Sequence, residues 1–159
     1  MKKIFFENSN HETSIIRKIS CLFRLSNSIM KQKLRKYNIG RGQFHFLMYL
    51  FDHGDGISQE ELNEKLRFDK ATTTRALKKL IKSGYITKKV DETDHRVNRI
   101  FLTDKAYEIR KEVEIVNQEL EKIITEHLSV QEKNQFDNLL DKMINNVVRY
   151  RNSTHEEAK

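Results

Sequence analysis

From about Glu12 to Tyr37 apolar residues recur every three or four positions, at Ile15, Ile16, Ile19, Leu22, Phe23, Ile29, Met30 and Leu34. At 3.6 residues per turn these positions share one face, which predicts a single long amphipathic helix. The next segment, from about Arg41 to Asp52, is apolar on most sides and predicts a buried second helix. Ser58-Gln59-Glu60-Glu61 is a capping box, in which a side-chain acceptor meets orphan amides and a glutamate returns the bond. It opens a short third helix through Leu62 and Leu66. Asp69 can cap a fourth helix running to about Ser83, where Gly84 supplies a left-handed stop. On that helix Thr73, Ala76, Leu77, Leu80 and Ile81 form the inward stripe, leaving Lys70, Thr72, Thr74, Arg75, Lys78, Lys79 and Lys82 mostly outward.

The period then shifts towards two. Tyr85 to Val90 and Asn98 to Thr103 predict two strands with Ile86, Ile100 and Leu102 inward, joined by the acidic-polar turn Asp91–His95. A single long helix follows, from Asp104 past Ile124 through Tyr107, Val113, Val116 and Leu120. A second capping box, Ser129 to Glu132, opens a last helix through Phe136, Leu139, Leu140, Met143, Ile144 and Val147. The tail from Arg151 is expected to fray. There is no proline, and all five glycines fall where one periodicity stops and another starts. The fold class is mainly α with a small β-hairpin wing: a winged helix-turn-helix with an α-helical dimerisation region.

Charge sharpens this picture. The 159-residue chain carries a net +7, but Asp104 to Tyr150 holds seven cations against ten acids. From Lys65 to Lys89 there are nine Lys or Arg and one acid, Asp69. The excess is concentrated on the fourth helix, the footprint of a polyanion reader rather than of a basic tail. Cations there neutralise phosphates, and short hydroxyls let a helix approach base edges in the major groove. The expected partner is therefore double-stranded DNA. The single cysteine, Cys21, excludes an internal disulfide and fits a reducing compartment. The opening MKKIFFENSNHE turns polar before an apolar stretch of signal length develops, and no run approaches membrane-spanning length. A cytoplasmic location without a membrane partner is expected.

The order of elements, with Gln43 opening the second helix, Thr72-Thr74-Arg75, Leu80 and Gly84, then the wing signature Asp94-His95-Arg96 followed by Ile100 and Leu102-Thr103, resembles the MarR family of transcriptional regulators. The resemblance runs from about Ile15 to Arg149. Val97, Ala106 and Phe101 depart from the family pattern, where small or polar residues, glycine and a polar residue are usual. The resemblance implies one domain over 1–159, with a DNA-binding lobe at 41–103 and dimerisation helices at 10–38 and 104–150. It implies a homodimeric repressor on an inverted-repeat operator. The fourth helix would lie in the major groove, with Thr72, Thr74 and Arg75 nearest the bases and Lys70, Lys78 and Lys79 nearer phosphates. Ser58 and Gln59 join this DNA-contact set. Arg96, oriented by Asp94, would enter the minor groove, and Arg99 would meet a phosphate. Relatives are often released by small anionic aromatic compounds, and Arg24, Arg41 and His45 are the candidate effector-pocket residues here.

Other readings stay open. The six histidines show no ligand-like clustering, and His45 lacks the partner ligands that metal-sensing relatives use. No cofactor is expected. Cys21 would allow a redox-sensing regulator, although Leu22 and Phe23 beside it suit a packed thiol. A winged-helix protein-interaction module without DNA contact is a further alternative, which Arg75 and Arg96 argue against. An enzyme is the remote reading, since neither a phosphate-cradling glycine loop nor a nucleophile elbow is present.

Overall fold

The computed structural model describes residues 14–156. The chain forms two compact units that meet between Leu120 and Glu121. In the first, α1 (Ile15–Lys33) is followed by a 3-10 turn (Arg35–Tyr37), α2 (Arg41–His53), β1 (Ile57–Ser58), α3 (Gln59–Leu66), α4 (Lys70–Lys82), β2 (Ile86–Val90), β3 (Asn98–Leu102) and α5 (Asp104–Glu108). The helix α6 (Arg110–Thr125) crosses the junction, and α7 (Val130–Glu156) lies in the second unit.

The expected helices form, with instructive differences at their ends. The first is shorter than its periodicity suggests: it closes at Lys33, and Asn38 takes a left-handed φ of 56° after the 3-10 turn. The expected start near Glu12 lies outside the described residues. At α2, Gln43 Oε1 accepts from the Gly40 amide at 3.0 Å, and a Cβ at Gly40 would sit 2.9 Å from that oxygen. Glycine therefore permits the cap. The α3 capping box forms in both directions, Glu61 N–H to Ser58 Oγ at 3.1 Å and Ser58 N–H to Glu61 Oε2 at 2.8 Å. The Ser58 hydroxyl and amide hold the Glu61 carboxyl below its ordinary range.

The segment after Thr103 departs from the single long helix expected. It breaks at Ile109 (φ −100°, ψ 0°) into α5 and α6, and both Ala106 and Ile109 are buried at the break. The C-terminal tail also differs. α7 continues as helix through Glu156, beyond Arg151 where fraying is expected to begin.

The hairpin is part of a three-stranded antiparallel sheet of order β1-β3-β2. Ile57 pairs with Ile100 and Ser58 with Arg99, while Ile86 faces Leu102 and Val90 faces Asn98. The two residues of β1 are too few to show a period in the sequence. Ile86, Ile100 and Leu102 are buried as expected. Phe46, Leu47 and Leu50 of α2, Leu62 of α3, Leu80 of α4 and Val113 of α6 complete the core, with the Phe46 and Phe68 rings stacked at 5.3 Å. Ile81, expected inward, is 40% exposed: it sits at the edge of the α4 stripe, whose buried members are Thr73, Ala76, Leu77 and Leu80.

Candidate nucleic-acid interface

The fourth helix is organised by its cap. Asp69 Oδ1 accepts from the Thr72 amide at 2.8 Å, and Oδ2 accepts from the Thr72 hydroxyl at 2.7 Å. These bonds keep the Asp69 carboxyl charged below its usual range, the Thr72 hydroxyl bond being the largest cause. Arg75 Nη2 donates to Thr72 Oγ1 at 3.2 Å, so cap, hydroxyl and guanidinium form one chain along the outer face. Between them, Thr74 Oγ1 donates to the Lys70 carbonyl at 2.7 Å and accepts from Gln59 Nε2 at 3.0 Å. That contact ties the start of α3 to the face of α4. Lys70, Arg75, Lys78 and Lys79 are exposed and Thr72 and Thr74 half-buried. The helix ends at Lys82, and Gly84 at φ +75° turns the chain into β2.

Two expected contact residues are differently engaged. Ser58 is buried, and its hydroxyl is committed to the α3 cap, so it belongs to the scaffold. Arg99 is engaged within the fold as well. Its Nε is bonded to Asp91 Oδ2 and its Nη1 donates to the Gly56 carbonyl at 2.9 Å, which locks β3 to the wing base and to the loop before β1. Sequence identifies a cation there but not the tertiary acceptors that occupy it.

The wing turn is built on Asp91. Its Oδ1 accepts from the Thr93 amide at 2.8 Å, the Thr93 hydroxyl at 2.6 Å and the Asp94 amide at 3.0 Å. The signal was present as an Asp two residues before a Thr, the side-chain-to-backbone pattern of an Asx turn. The Thr93 hydroxyl first, then Arg99 and the turn amides, hold the Asp91 carboxyl far below the usual carboxylate range. Asp94 does not grip the Arg96 guanidinium as expected; its Oδ1 accepts from the Arg96 backbone amide at 2.9 Å. It fixes the turn, and the exposed Arg96 side chain has no hydrogen-bond or ionic partner among the described residues.

This arrangement yields a pH prediction. Because folding depresses the Asp91 pKa, its contribution is fully present above the ordinary carboxylate pKa of about 3.9 and is lost only as pH falls through the folded value. Wing order should therefore stay constant from neutral pH down past pH ~4. Asp91→Ala should speed amide exchange at Thr93, Asp94 and Val97 at neutral pH, leaving α4 amides unchanged. Hydrogen-exchange NMR checks both.

The effector candidates do not converge. Arg24 lines a cationic groove between α1 and α4, with Lys31, Thr72, Arg75 and Lys79. His45 lines a separate cavity against Phe44, and burial pushes its imidazole below the ordinary range. Arg41 opens α2, but its side chain lies outside the described positions. Cys21 is half-buried on α1. Among the described residues no group of His, Cys, Asp or Glu could hold a metal ion, and no helix is long and apolar enough to cross a membrane.

A three-helix lobe with a capped basic helix and an arginine-tipped hairpin defines a winged helix-turn-helix. The MarR family profile matches residues 39–97. A MarR transcriptional regulator from Methanosarcina mazei Go1 is 36% identical, with 85% of this chain and 96% of that one covered and a TM-score of 0.78. The HTH-type transcriptional regulator YybA of Bacillus subtilis (strain 168) is 33% identical over 95 residues, 60% of this chain. That match spans 63% of YybA's own length. A MarR family transcriptional regulator from Listeria monocytogenes, in complex with 26mer DNA, is 27% identical over 86% of this chain and 90% of that one, with a TM-score of 0.77. The chain belongs to the MarR family of winged helix-turn-helix transcriptional regulators.

Proposed function

We propose that the protein is a homodimeric, sequence-specific reader of double-stranded DNA that acts as a cytoplasmic repressor and is released by a small molecule. The observation that carries this reading is the outer face of α4, where Asp69, Thr72 and Arg75 form one hydrogen-bonded chain flanked by exposed Lys70, Lys78 and Lys79. Base edges are read by Thr72, Thr74 and Arg75, and phosphates are neutralised by the lysines. Gln59, at the start of α3, positions Thr74 on α4. Arg96, on a turn held by Asp91 and Asp94, reaches a narrow minor groove. The Listeria relative in complex with 26mer DNA supports a duplex as the partner. Twofold symmetry requires an inverted repeat whose half-sites lie about one helical turn apart.

The test is selection of bound fragments from random duplexes, then titration of the selected operator at several salt concentrations. Each phosphate neutralised should contribute ~0.9 to the slope of log affinity against log salt. Arg96→Ala should weaken the operator and shrink any advantage of A·T pairs in its outer flanks, without changing thermal stability. Asp94→Ala should give a milder form of the same defect by loosening the turn. Selection that enriches no sequence would overturn base reading, and equal binding by Arg96→Ala would reduce the wing to a structural element.

A further inference from the structure

The outer face of α4 has two flanks with different neighbours. Lys70, Thr74 and Lys78 recur every fourth residue on the side where Gln59 Nε2 of α3 donates to Thr74 at 3.0 Å. Thr72, Arg75, Lys79 and Lys82, three or four positions apart, border α1 and the start of α2. Two grooves run along that border, and both contain Lys31, Gly40, Gln43 and Lys79, so they form one continuous trough.

The opposite wall of the trough is also basic. Arg24 and Lys31 are two helical turns apart on α1, and Arg35 follows four residues later on the 3-10 turn. All three are exposed and line the trough. With Arg75, Lys79 and Lys82 they make six cations, with neither Asp nor Glu among the described lining residues. None of the six forms an ion pair among the described residues. Lys33, two residues from Lys31, does: it meets Glu119 of α6 at 2.7 Å. A cleft lined by one sign of charge concentrates the opposite ion. Its floor is bare, since Gly42 is exposed and a Cβ there would meet nothing within 4 Å.

We infer that this trough seats the second phosphate backbone of the major groove, so that DNA is gripped on both flanks of α4. The inference rests on the DNA reading above and extends it to Arg24, Lys31, Arg35 and Lys82. The major groove is about 12 Å wide, and a helix with its side chains is about 10–12 Å across. A helix that fills the groove therefore has one backbone on each side. On one side stand α3, Lys70 and Lys78; on the other lies the trough. Arg24, which the family resemblance puts in an effector pocket, then neutralises phosphate. Arg75 at the trough's edge still reaches the bases, and the other five cations displace condensed counter-ions without reading sequence.

The test titrates wild type, Lys31→Ala, Arg35→Ala and the double variant against the selected operator and a scrambled duplex across a salt series, with thermal melting as the fold check. Each substitution should lower the slope of log affinity against log salt by about 0.9 per contact, twice that where two protomers bind. The loss should be equal on the two duplexes, unlike the selective loss at a base contact. Lys33→Ala removes the same charge two residues away and should leave the slope unchanged. Gly42→Glu adds an acid to the trough in the first turn of α2, where the helix dipole favours one. It should weaken both duplexes well beyond Gly42→Gln while the melting temperature holds. Single methylphosphonates walked along each strand should mark two phosphate tracts per half-site with wild type and one with the double variant. An unchanged slope in the double variant, an equal drop in Lys33→Ala, or survival of both tracts overturns the inference while DNA binding stands. Absence of any duplex binding by wild type defeats the DNA reading and the inference with it.

Discussion

Sedimentation at micromolar concentration is expected to give about 38 kDa, two copies of the 19.0 kDa chain. The reason is apolar surface left uncovered within each of the two units. On α1, Ile15, Ile16, Leu22 and Phe23 are exposed, Ile16 by 74%. On α7, Phe136, Leu139, Ile144 and Val147 are exposed, the last by 67%. Scattered exposed leucines need no explanation, but stripes repeated at helical spacing along two helices exceed what soluble monomers usually carry. A second copy of the same chain is the partner that twofold pairing on DNA requires. Burying these stripes at about 25 cal/mol per Å² is expected to couple folding to association, so a stable folded wild-type monomer at that concentration would refute the idea. Leu139→Lys with Ile144→Lys should place two charges in the seam and abolish the dimer. Operator affinity should fall with it by roughly 10²–10⁴, the gain that linking two half-site contacts provides. Sedimentation and operator titration of the double variant measure the two losses together.

The parts legible in sequence were those fixed by local chemistry. The Ser58–Glu61 and Ser129–Glu132 boxes form as their spacing implies, because a cap is decided within four residues. Asp69 and Gly84 bound α4 for the same reason. What escaped was decided by distant partners. β1 exists because Ile57 meets Ile100 across the sheet, and a two-residue strand has no pattern of its own. Arg99 and Ser58 have the residue types of DNA contacts, yet Asp91, Gly56 and the α3 cap claim their polar atoms. The break at Ile109 is silent because the apolar stripe continues across it. Arg24 and His45 looked like one pocket in sequence, whereas they face different sides of the α1–α2 region.

Arg75→Ala is expected to cause the largest loss of sequence discrimination. The guanidinium is pre-positioned: Asp69 Oδ2 holds the Thr72 hydroxyl at 2.7 Å, and that hydroxyl accepts from Arg75 Nη2 at 3.2 Å. A side chain already restrained in this way loses less freedom when it forks onto guanine O6 and N7. Each bidentate contact removed should cost ~1–3 kcal/mol, and a symmetric dimer loses two, about 2–6 kcal/mol on the full operator. Arg75→Lys should recover little, because a point charge supplies no fork. Thr72→Val keeps the shape, removes the hydroxyl, and should give a smaller loss in the same direction. The measurement is a pair of titrations for each variant, on the selected operator and on a scrambled duplex of the same length, with thermal melting to confirm the fold. The expected result is a steep loss on the operator and a shallow one on the scrambled duplex, so the two affinities converge. Equal losses on both would make Arg75 a phosphate contact and shift base reading to Thr72 and Thr74.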